Sequence, residues 1–130
     1  MRAPAIALLA VGAALAGCGS DEDDVAGVME SFLESVAAGD ASAACGQLSE
    51  STRNKLEKDE MVPCPEALEK VGLSGESSVT DTVVAGTAAR VSLAGGEYAF
   101  LDRGPGGWKI AAAGCRPTAP EEPYDCELES

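Results

Sequence analysis

Apolar positions follow three successive patterns along this chain. From residue 3 to residue 16 every side chain is apolar or small, with Met1 and Arg2 ahead of the run and the acids Asp21, Glu22, Asp23 and Asp24 soon after it. Crossing the hydrocarbon layer takes about 20 such residues, so a spanning helix is not expected; a cationic start, a short apolar stretch and small residues at its end outline a secretory signal. From Val25 the period is helical: Val25, Val28, Met29, Phe32, Leu33 and Val36 share one stripe. Residues Ser20 to Asp24 read as a polar spacer whose acids suit the positive end of that helix. Gly39 is a natural stop, and Asp40 can cap a second helix that turns Ala41, Ala44, Cys45 and Leu48 inward. Ser49 or Ser51 caps a third, mostly polar helix through Arg53, Lys55, Leu56 and Lys58, which Pro63 ends. Pro65 suits the first turn of a fourth, with Cys64, Ala67, Leu68 and Val71 on one face.

Beyond Gly72 the period falls to two. Val79 to Val84 is β-rich, and Ala89, Val91 and Leu93 alternate with Ala88, Arg90 and Ser92. Gly95 and Gly96 form a hairpin turn, after which Tyr98 and Phe100 take one face and Ala99 and Leu101 the other. A second turn spans Asp102 to Gly107, and Trp108 and Ile110 form a last strand. The tail from Gly114, with Pro117, Pro120 and Pro123, reads as an extended loop. Helices followed by strands predict an α+β domain: N-terminal helices packed on an antiparallel meander.

Leu15, Ala16, Gly17 and Cys18 resemble a bacterial lipobox. The resemblance implies cleavage between Gly17 and Cys18, a diacylglycerol on the Cys18 thiol, and a mature protein tethered to the extracytoplasmic face of the cell membrane. The expected segments are a signal peptide over 1–17, a lipidated cysteine and acidic spacer over 18–24, and one domain over 25–130. Removing residues 1–17 leaves 113 residues, a single domain by length.

That mature chain sets eight cations against 22 acids, a formal charge of −14. Nucleic acid is excluded as a partner, because phosphate binding requires clustered Lys and Arg. Anionic headgroups would repel such a surface too, which leaves retention at the membrane to the lipid on Cys18. Four cysteines remain, Cys45, Cys64, Cys115 and Cys126, an even number in an exported chain and so two disulfides. Zinc is disfavoured, since there is no histidine and no Cys-x-x-Cys pair. Of the three pairings, Cys45 with Cys64 and Cys115 with Cys126 is preferred: each closes a short loop, and the first pair points from two helices toward one interior.

Phe32 and Leu33, then Gly39-Asp40-Ala41, Ala44-Cys45, Leu48 and Gly107-Trp108-Lys109-Ile110, with Gly114-Cys115-Arg116-Pro117 and Pro123-Tyr124-Asp125-Cys126 at the end, resemble small actinobacterial lipoproteins with an NTF2-like domain. The resemblance implies a curved sheet wrapped over helices as a cone, enclosing a pocket that in the wider superfamily binds or transforms small hydrophobic molecules. Superfamily enzymes commonly use Asp with His or Tyr. This chain has no histidine, which removes the commonest acid–base group at neutral pH. Asp81, Glu97 and Asp102 remain as carboxylates, Tyr98 as a polar partner, Arg90 as a contact for an anionic ligand and Trp108 as a core or pocket-rim aromatic. No nucleophile elbow, phosphate loop or metal motif is present, and no cofactor is expected. The expectation is a non-enzymatic binding or interaction module of the cell envelope, with an unknown envelope protein or small ligand as partner. The alternative is an enzyme using a carboxylate base on a small apolar molecule in the cone.

Overall fold

The first three helices begin where a short polar side chain accepts an amide of the first turn; the fourth has no such cap, and its Cys64 amide donates instead to the Glu57 carboxylate at 3.1 Å. The computed structural model describes residues 20–121 and 123–130. Helix α1 (Asp21–Ala37) is capped by the Ser20 hydroxyl, which accepts the Asp23 amide. The acids expected to form a spacer are therefore the first turn of α1 itself, where the free amides and the helix dipole favour negative charge. Asp40 caps α2 (Ala41–Gly46) through the Ala43 amide at 3.1 Å. Leu48 lies beyond α2 and forms a parallel bridge with Ile110 of the sheet. Ser49, rather than Ser51, caps α3 (Glu50–Glu60). That helix closes at Met61, which adopts a left-handed conformation (φ 57°), so it ends ahead of Pro63. Pro65 sits in the first turn of α4 (Cys64–Val71), which ends at left-handed Gly72.

Five strands follow: β1 (Val79–Ala85), β2 (Ala88–Leu93), β3 (Tyr98–Gly104), β4 (Gly107–Arg116) and β5 (Asp125–Leu128). They pair antiparallel in sequence order, an open meander. Two expectations are corrected. The strand expected to finish at Ile110 runs to Arg116, and the tail is not merely an extended loop but returns as β5, pairing Ala113 with Leu128 and Cys115 with Cys126. Burial explains the return, because Leu128 is 2% exposed and closes one end of the core.

One stripe of α1, Val25, Met29, Phe32 and Leu33, packs with Val91, Leu101 and Ile110 from the inner sheet face. The segment joining α4 to β1 crosses α1 so closely that a Cβ at Gly75 would lie 2.5 Å from the Leu33 carbonyl oxygen and 2.8 Å from the Ala37 Cβ. Glycine is required there by proximity, not by dihedral angle. Two disulfides pair as preferred: Cys45–Cys64 joins α2 to α4 and Cys115–Cys126 joins β4 to β5. They are consistent with an oxidising, extracytoplasmic setting. Gly17 and Cys18, with the whole expected signal segment, lie outside the described residues. Among the described residues no helix is long and apolar enough to cross a membrane.

Candidate functional site

Strand alternation sorts the sequence-selected residues onto two faces. Ala89, Val91, Leu93, Ala99, Leu101 and Ile110 are buried against the helices, so their strand neighbours Val83, Arg90, Tyr98 and Phe100 face away from the core. Register brings these together, with Val83 opposite Arg90 and Arg90 opposite Phe100. Tyr124, just ahead of β5, stands edge-on to both Tyr98 and Phe100, with ring centroids at 5.4 and 5.1 Å. The Arg90 guanidinium carbon lies 5.5 Å from the Tyr98 centroid, a cation–π contact. Val83, Ala85, Ala88, Arg90 and Phe100 border a shallow depression of about 260 Å³.

This strip departs from the usual division of residues. Of five aromatic residues in the chain, Tyr98, Phe100 and Tyr124 are on the outside of the sheet. Val83 is 45% exposed beside them. Arg103, Arg116 and Lys55 reach carboxylates of Asp21, Glu97 and Asp59, whereas Arg90 is in no ion pair among the described residues. Half-buried aromatics on an outer sheet face, beside an arginine free of ion pairs, are the residue types that anchor protein interfaces.

The other selected residues fall elsewhere. Asp81 is exposed on β1 opposite Ser92, and Asp102 is exposed at the far end of β3, opposite Ala88 and Lys109. Glu97 is held by Arg116 at 2.6 Å. Trp108 belongs to the core cluster, so it is not a pocket-rim aromatic. The six candidates therefore form no common site; only Arg90 and Tyr98 meet. Between α1 and the inner face, Met29, Phe32, Val91, Leu101 and Ile110 fill the space, each no more than 1% exposed. Thr52 is the one buried polar side chain among the described residues. No group of three or more His, Cys, Asp or Glu side chains suited to a metal ion occurs among them.

Phe100 and Tyr124 were the residues sequence reasoning passed over. The alternation of Tyr98 and Phe100 with Ala99 and Leu101 carried the signal: small and aliphatic residues took the core face, which left the aromatics outside. No protein-family profile, no curated protein and no solved structure matches the chain.

Proposed function

We propose that the protein is an exported lipoprotein, held on the extracytoplasmic face of the membrane through Cys18, that serves as a non-enzymatic binding module of the envelope. The carrying observation is the cysteine pairing. Two bridges use Cys45, Cys64, Cys115 and Cys126, leaving outside both the one cysteine in a lipobox, two residues ahead of the Ser20 cap. Such spacing would hold the folded body against the headgroups with little slack. The NTF2-like assignment belongs to the same proposal and is supported by helices that precede an antiparallel meander.

Binding is favoured over catalysis because, of the three carboxylates considered as bases, Asp81 and Asp102 are exposed on the sheet and Glu97 is engaged by Arg116 at the surface, while apolar side chains occupy the interior. None of the three faces an enclosed space in which a general base could meet a substrate. The strip of Arg90, Tyr98, Phe100 and Tyr124 is the surface this reading assigns to a partner protein. Its rings meet edge to face with interplanar angles of 63°, which denies a sugar the coplanar platform it would stack on.

Anchoring is tested by fractionating cells that express Cys18→Ala. Release of the variant from membranes, with a diacylglycerol-modified Cys18 at the amino end of the native protein by intact mass, is the expected result; retention of the variant overturns the proposal. The surface is tested by photocrosslinking in cells from position 83 and, as a control, from position 58 on α3. An adduct specific to position 83 and lost with Arg90→Glu is expected, and identical adducts from both positions would refute the assignment.

A further inference from the structure

Where α1 ends, α2 begins and α4 passes behind them, a cleft of about 200 Å³ opens. Val36, Ala41, Ala44, Leu68 and Leu73 give it apolar walls, and among the described residues Glu69 is the only ionisable side chain lining it. The space is below the range of drug-sized pockets, roughly 300–1,000 Å³, so its occupant is fragment-sized.

Negative charge predominates at the cleft. Gly39, just past the carbonyl end of α1, and Gly72, at the carbonyl end of α4, both border it. Helix C-termini carry partial negative charge. The last turn of α1 contains no basic residue to offset it. Lys70 lies in the last turn of α4 but does not line the cleft. The positive end of α2 is there too, yet that helix has only six residues and the Asp40 carboxylate caps it. Two helix ends, the Glu69 carboxylate and an excess of acids over the whole chain (net −13) therefore favour a cation.

We propose that this cleft is a binding site for a small organic ammonium ion with an apolar body, the ammonium facing Glu69 and the body seated against Val36, Ala44 and Leu68. The site does not depend on lipid attachment or on the outer sheet face. An anion of the same shape meets repulsion there, and a neutral analogue keeps only the apolar contact.

Isotope-edited NMR of the disulfide-intact protein tests this with three probes of one shape: phenethylamine, phenethyl alcohol and phenylacetate. Phenethylamine is expected to give saturable shifts at Val36, Ala41, Ala44, Leu68 and Leu73, phenethyl alcohol weaker shifts at the same residues, and phenylacetate none. Glu69→Gln should weaken the amine roughly threefold, the scale of an exposed ion pair, without affecting the alcohol. Ala41→Leu, which fills the cleft, should abolish both. Equal binding of the amine and phenylacetate would overturn the proposal. So would amine shifts spread over acidic surfaces and insensitive to both variants, or the absence of saturable shifts with all three probes. Glu69 is exposed, so its variant remains informative if Ala41→Leu fails to fold.

Discussion

Replacing Thr52 with valine is expected to cost this domain a sizeable part of its stability although the side-chain volume hardly changes. Helix α3 is mostly polar and buries only Thr52 and Leu56. Thr52 is fully buried; its hydroxyl donates to the Ala111 carbonyl of β4 at 2.8 Å and lies 2.7 Å from the Ser49 hydroxyl, which can donate to it in turn. Valine would leave the partly buried Ala111 carbonyl without this donor. An orphaned buried polar group costs about 1–3 kcal/mol, against a total stability of about 5–15 kcal/mol for an ordinary domain. Thr52→Ser keeps the hydroxyl and loses one methyl group, a cost of about 1 kcal/mol. Urea unfolding with disulfides intact, followed through the fluorescence of buried Trp108, gives both values by linear extrapolation. The valine variant should be the less stable of the two, with an unchanged denaturant slope. A valine variant as stable as the native protein, or more stable than the serine variant, would refute the assignment of Thr52 as the polar tie between α3 and the sheet.

Gly75→Ala should lower stability by about 1–3 kcal/mol, since the new methyl group meets the α1 backbone at Leu33 and Ala37; an unchanged thermal midpoint would contradict that packing. Removing the first bridge with Cys45→Ala and Cys64→Ala frees a loop of sequence separation 19 and should cost about 3 kcal/mol, read from the shift in the urea midpoint. Lys55, hydrogen-bonded to Asp59 at 2.6 Å, has its pKa raised above the ordinary 10.5, first by that hydrogen bond and then by the Asp59 charge. A raised lysine pKa means that the pair's contribution is complete below the unfolded value and is lost as pH rises through the folded one. Alkaline unfolding curves of the native protein and Lys55→Met should therefore converge as pH climbs past the ordinary lysine value, and curves that diverge there would reverse the sign.

Much of the architecture was legible because burial leaves a period in the chain. The stripe from Val25 to Val36 marked α1, and the alternation through Ala89, Val91 and Leu93 marked the inner face of β2. Boundaries were less legible where side-chain chemistry has two uses. Asp21 to Asp24 suit a solvated spacer and a helix first turn equally, and only the Ser20 cap distinguishes them. Prolines at 117, 120 and 123 suggested a loop, while the strand they precede is short and owes its place to Leu128 and the Cys115–Cys126 bridge. The candidate site was half legible: Arg90 stood out as a charge in an apolar strand, whereas Tyr124 reaches Tyr98 and Phe100 only because the tail folds back. The cleft at Glu69 has no local sequence signature, since it is assembled from three helices.

Both cross-links join each cysteine to the next one along the folded body, Cys45 to Cys64 and Cys115 to Cys126. A polypeptide threaded amino end first into an oxidising compartment delivers its thiols in that same order. The first pair can close while the second is still being synthesised or translocated. For a chain exported as proposed, the order of emergence favours this connectivity over the two in which the bridges interleave or nest.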